Sequence, residues 1–310
     1  MNEERRQGYL NLINALLNCP SGEEPQILNA NQDLLDAGLL QALAQVAEFL
    51  EKRGDRNAAD YLRTLANYLP GQQTLGLFSH FLLEVLETIH NSKGSPQVVY
   101  QILQENLDKL DENFPRMLRN WATAELPELM SEQAQAIAKL IGDFSLLIQE
   151  FPKGTKAINQ EIAITGYKIA ATVYTLDAFP KDWATIQNNL GNAYCNRIHG
   201  DWTENLKKAI TAYKDALQVR APQVLPDEWA TTQINLGLAY RQLGQIDEAI
   251  GAFTAALRVY TREAFLEKWA KLLHNLSIAY CEKGEIENAI EACLSALHVY
   301  THEAFRTERA

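Results

Sequence analysis

A chain of 310 residues, 47% of them hydrophobic, is long enough for one large or two ordinary domains and too apolar to be disordered. Its net charge of −11, with no run of Lys and Arg, speaks against a nucleic-acid binder. No apolar stretch approaches a membrane span, and the N-terminus Met1-Asn-Glu-Glu-Arg-Arg lacks the apolar core of a signal peptide.

The four cysteines, Cys19, Cys195, Cys281 and Cys293, form no CxxC pair. That usage suits a reducing compartment, so the expected location is cytoplasmic.

Helical periodicity sets in at once. Tyr9, Leu12, Ile13, Leu16 and Leu17 fall on one face of a helix over about 4–18. Ser21-Gly-Glu-Glu24 has capping-box spacing, and Pro25 stands just inside the next turn. Leu35, Leu39, Leu43, Val46 and Leu50 predict a helix over about 33–52, closed by Gly54. Asp55 is placed to cap the next helix, in which Tyr61, Leu62, Leu65 and Leu69 recur, and Pro70-Gly71 is expected to break that pattern. Further helices are expected over about 75–91, 96–110, from Asn113 to Trp121, and from Pro127 to Glu150. Residues 1–152 therefore read as an all-helical domain with no period-two alternation.

From residue 153 onward the chain repeats itself. Trp183-Ala-Thr-Ile-Gln-Asn-Asn-Leu-Gly-Asn-Ala-Tyr194 returns with its tryptophan at Trp229 and again at Trp269, steps of 46 and 40 residues. A second series holds Ala163, Ala209, Ala249 and Ala289, followed four residues on by Tyr167, Tyr213, Phe253 and Cys293 and three later by Ala170, Ala216, Ala256 and Ala296. The longer step carries six extra residues in the turn 196–202. Such a period marks stacked helix pairs, with small residues where helices approach and rings filling the space between them. Trp121-Ala-Thr123 looks like the repeat opening but is followed by no Leu-Gly-x-x-Tyr, so it is not counted as one.

These positions resemble the tetratricopeptide repeat. Leu236, Gly237, Tyr240, Ala249, Phe253 and Ala256 of the middle unit match that family's pattern at its own spacing, while the last unit departs from it with Ser277 and Cys293. The 40-residue unit resembles the extended form found in kinesin light chains. The resemblance implies an all-α protein in which a helical N-terminal domain, 1–152, precedes a right-handed solenoid, 153–310, of three helix A/helix B units led by one helix B.

The whole chain, including Asn18-Cys-Pro-Ser-Gly-Glu-Glu24 and Pro96-Gln-Val-Val-Tyr100, resembles the N-terminal half of cyanobacterial proteins that often end in a CHAT domain, a caspase-like protease module. No such module follows Ala310 in this sequence, which points either to a truncated chain or to a natural end.

The candidate site is an asparagine ladder. Asn189, Asn235 and Asn275 occupy one register position, which the resemblance places on the concave face. A carboxamide both donates and accepts, so a row of them suits a peptide backbone. Asn188, Asn192, Ile234, Leu238, Arg241, Lys271, His274 and Ile278 are the expected neighbours in the groove, and Arg241, Lys271 and His274 would favour an acidic ligand. The bland alternative is that each Asn bridges adjacent helices inside the solenoid.

His298, His302 and Cys293 suggest a metal site only until the internal alignment sets His298 on Arg258 and His302 on Arg262. Cys195 with His199 lacks a third partner or an oxyanion hole, and no Walker, GxGxxG, HExxH or GxSxG pattern is present. The expected function is non-catalytic binding of a protein or peptide segment, with no metal and no cofactor. Two alternatives remain: the regulatory half of a caspase-like protease protein, and a structural unit that self-associates through the C-terminal repeat end.

Overall fold

A computed structural model covers residues 3–307 apart from 21, 32, 33 and 36, and leaves aside the side chains of 3, 4, 29, 37, 67–77 and 301–307. Among the described residues the chain is all-α, with no strand. It folds as two compact units, Met1–Leu82 and Leu83–Ala310.

The first unit contains α1 (Glu3–Asn18), α2 (Glu24–Ala30), α3 (Ala37–Lys52) and the first part of α4 (Arg56–Ser92). Tyr9, Leu12, Ile13 and Leu16 of α1, Leu39, Leu43 and Ala47 of α3, and Ala59, Leu62 and Leu65 of α4 are buried in one core. The predicted stripes are thus the faces that meet. Gly54 takes a positive φ of 90° after α3, and the Asp55 carboxylate accepts from the Ala58 N–H at 3.2 Å, as their positions predicted. Ser21, expected to open a capping box, lies outside the described residues.

One expectation fails here. Pro70-Gly71 does not end a helix, because α4 runs through both. Proline removes one N–H and crowds the preceding turn, but α4 continues on either side with buried Leu62 and Leu65 before it and Phe78, Phe81 and Leu82 after.

In the second unit α5 (Pro96–Glu105) and α6 (Phe114–Glu125) are followed by eight helices: α7 (Ser131–Glu150), α8 (Lys156–Val173), α9 (Pro180–Cys195), α10 (Trp202–Val219), α11 (Pro226–Gln242), α12 (Ile246–Ala256), α13 (Leu266–Lys283) and α14 (Ile286–Thr307). They pack as four hairpins, α7/α8, α9/α10, α11/α12 and α13/α14, each leaning on the next.

The helix B predicted to lead the array therefore has its own helix A. Moving 46 residues back from Ala184, Leu190-Gly191 and Tyr194 gives Ala138, Phe144-Ser145 and Ile148 of α7, all buried. Helix α7 pairs with α8, and the compact unit that holds both begins at Leu83.

The six extra residues of the 46-residue step are in the A–B turn, as expected. Compared with α12, α10 begins four residues earlier in register, at Trp202, and the loop before it holds 196–201. Buried Asn205 donates to the His199 carbonyl at 2.9 Å and, 46 residues earlier, buried Asn159 donates to the Lys153 carbonyl at 2.9 Å. Arg197 completes the later turn with a two-pronged bond to Glu161 of α8, at 2.6 and 2.9 Å. All four turns hold a glycine at positive φ, Gly154 and Gly200 at 75° and 83° in the longer ones and Gly244 and Gly284 at 80° and 87° in the shorter.

Candidate peptide-binding groove

The candidate groove is the face of the helix-A series α9, α11 and α13, which neighbour one another directly. Two glycines set how closely α9 and α11 meet their helices B. A Cβ at Gly191 would stand 2.5 Å from the Tyr213 ring, and one at Gly237 would stand 2.6 Å from the Phe253 ring. The loss of helix propensity, about 1 kcal/mol per glycine, is offset by this ring-to-backbone packing. Seated this way, the Tyr213 hydroxyl donates to Asn192 Oδ1 at 2.7 Å. Burial pushes the Tyr213 phenol well above its ordinary range.

The three ladder residues Asn189, Asn235 and Asn275 are all half-buried, and Asn275 makes no side-chain hydrogen bond among the described residues. Asn188, one residue before the first rung, behaves differently. It is 7% exposed, and its Oδ1 accepts from Thr232 Oγ1 at 3.2 Å and from Asn235 Nδ2 at 3.3 Å. It also donates to Asn189 Oδ1 at 3.4 Å. Asn188 is thus a strut between α9 and α11, and Asn235 is partly engaged in the same bridge.

Of the other predicted residues, Ile234 and Leu238 pack against the core between α11 and α13, and Ile278 is half-buried. Arg241 is half-buried and pairs with Glu282 at 2.7 Å, which leaves Lys271 and His274 as the exposed basic residues of the set.

The strut extends to a residue that was not singled out from the sequence. Arg220, at the end of α10, is only 6% exposed. Its guanidinium donates to Thr232 Oγ1 at 2.7 Å, to Thr185 Oγ1 at 3.3 Å and to the Glu228 carbonyl at 3.4 Å. Among the described residues no carboxylate comes within ion-pair distance, and burial pulls its pKa below the ordinary arginine range, against a smaller opposing pull from the Glu228 charge. A signal was present in the sequence: the repeat places Tyr174, Tyr260 and Tyr300 at this register position. The hydroxyls of Tyr174 and Tyr260 donate to matching helix-A carbonyls, Gln135 at 3.0 Å and Asp227 at 3.1 Å.

The remaining chemical candidates are dispersed. Cys195 lies beneath the Tyr213 hydroxyl, 3.6 Å away, and burial pushes its thiol upward, the opposite of an activated nucleophile. Cys293 and His298 are exposed, and the side chain of His302 lies outside the described residues. Among the described residues no three His, Cys, Asp or Glu side chains converge to hold a metal, and no helix is long and apolar enough to cross a membrane.

Residues 182–262 match the tetratricopeptide repeat family. Repeats of this family generally mediate protein–protein interaction and are generally non-catalytic. BtubC (BKLC) from P. vanneervenii is similar in structure at 17% identity, over 75% of this chain and 92% of its own, with a TM-score of 0.49. A MamA protein is similar at 14% identity, over 75% of this chain and 95% of its own, with a TM-score of 0.44. No curated protein sequence matches the chain.

Proposed function

We propose that the repeat segment, residues 153–310, binds an extended protein or peptide segment along the α9, α11 and α13 face. Asn189, Asn235 and Asn275 hold the backbone of that segment. The supporting observation is the contrast between neighbouring asparagines: Asn188 is turned into the junction and bonded there, whereas the three ladder residues remain partly open in register. A half-open carboxamide keeps donor and acceptor capacity that a peptide backbone can use. Lys271 and His274, exposed beside Asn275, favour an acidic segment at the α13 end.

The test compares capture of a partner by the full chain and by its Asn189→Ala/Asn235→Ala/Asn275→Ala variant. The triple variant is expected to bind about tenfold or more weakly while its helical signal and melting temperature hold. Affinity that survives the triple change removes the ladder from recognition.

A further inference from the structure

A second site lies away from the helix-A face, in a cleft of about 320 Å³ between α6 and α8. Its floor is apolar, made by buried Ala122, Leu126 and Ile169. Arg119 and Lys168 stand at its lip, both exposed and neither within ion-pair distance of a carboxylate. Two unpaired cations flanking one apolar cleft stand out in a chain of net charge −11.

Thr165 supplies the independent observation. It is 4% exposed, lines the cleft, and its hydroxyl makes no hydrogen bond within the protein. The other two threonines of the cleft are satisfied by their own helices: Thr123 Oγ1 donates to the Arg119 carbonyl at 2.9 Å and Thr172 Oγ1 to the Ile169 carbonyl at 2.7 Å. The Thr165 hydroxyl thus opens onto the cleft with its donor and acceptor capacity unspent, ready for an acceptor bound there.

We infer that this cleft binds a small aliphatic carboxylic acid in its ionised form. The carboxylate accepts from the Thr165 hydroxyl and is held by the Arg119 guanidinium and the Lys168 ammonium, while the aliphatic tail covers Ala122, Leu126 and Ile169. The volume lies at the small end of small-molecule sites, roughly 300–1,000 Å³, which suits a short free acid. Lys168 also stands 5.6 Å from the centroid of the Tyr194 ring of α9, so an anion drawn to it sits beside the first helix of the proposed groove. The site does not depend on the groove reading.

Octanoate, octanol and octylammonium, titrated into the full chain by calorimetry, test this. Octanoate is expected to bind, with octanol and octylammonium at least about tenfold weaker. Arg119→Gln/Lys168→Gln is expected to weaken octanoate about tenfold, and these exposed positions leave the fold intact. Thr165→Val is expected to weaken it about fivefold with no loss of melting temperature, while Thr165→Ser, which restores the hydroxyl, recovers most of the affinity. The inference is overturned if octanoate fails to bind, if octanol binds equally well, or if the double variant binds octanoate unchanged. A marked drop in melting temperature for Thr165→Val would also overturn it, because the hydroxyl would then be satisfied within the protein.

Discussion

Where α10 hands over to α11, three register positions hold Asn188, Thr232 and Arg220; one repeat later the same positions hold Ile234, Leu272 and Tyr260. The first set is a chain of hydrogen bonds ending in a buried guanidinium. The second belongs to an apolar cluster with Trp229, Phe253 and Leu276, where the only polar atom of the three, the Tyr260 hydroxyl, reaches a backbone carbonyl. The preceding junction, with Gly142, Ile186 and Tyr174, is also apolar. Helix packing of one geometry therefore accepts two chemistries, provided all three positions change together. Hydrogen bonds fix which residue faces which, whereas apolar contacts supply more free energy with less direction.

The most severe way to break this contrast is to change one member alone. Tyr260→Arg would bury a cation against Leu272, with the Lys268 ammonium already 3.3 Å from the position of the Tyr260 hydroxyl. A loss of about 3–5 kcal/mol is expected in urea unfolding: the ring leaves the apolar cluster, and although Thr231 Oγ1 lies 3.0 Å from the hydroxyl position, the Asp227 carboxylate there is already taken by Lys268. A loss below about 1 kcal/mol would show that the two junctions are not chemically distinct.

The reciprocal change sharpens the contrast. Asn188→Ile/Thr232→Leu/Arg220→Tyr gives the polar junction its neighbour's side chains, and a gain of about 1–4 kcal/mol is expected, because a buried charge is exchanged for packed apolar groups. Urea unfolding reads this, and a net loss would mean that the polar chain contributes more than its apolar counterpart.

The smallest effect concerns a single register position, where α9 carries Cys195 and α13 carries Cys281. Burial raises the Cys195 thiol, so its folded-state contribution to stability is present below the ordinary thiol range and lost as pH rises through the raised value. Iodoacetamide near neutral pH is expected to label exposed Cys281 well before Cys195. Labelling of Cys195 should keep climbing as pH passes the ordinary thiol range, and equal rates, followed by mass spectrometry, would contradict its burial.

The repeats were legible because Leu-Gly-x-x-Tyr and Ala-x-x-x-ring are requirements of close helix approach, and Gly191 and Gly237 do meet the rings of Tyr213 and Phe253. Helix α7 was expected as a helix but not as a repeat member, because Phe144-Ser145 replaces Leu-Gly; buried Ala138, 46 residues before Ala184, was the remaining trace. The site was less legible for a geometric reason. Asn188 and Asn189 are adjacent, and about 100° of helical rotation decides which one turns into the junction. Arg220 escaped because it sits at the end of a helix B, whereas the resemblance pointed to helix A for the candidate groove. Pro70 misled because proline disfavours helix interiors without forbidding them.

The last hairpin is less covered than the one before it. Among the described residues α14 packs on α13, and its Ile286 and Ile290 are exposed, whereas their counterparts Ile246 and Ile250 in α12 are half-covered. In a linear stack each pair is steadied by its neighbours, so the apolar positions left exposed on α14 mean that α13/α14 draws less burial from this chain than α11/α12 does. A segment held along the proposed groove would therefore be backed by more buried apolar surface of this chain at α11 than at α13.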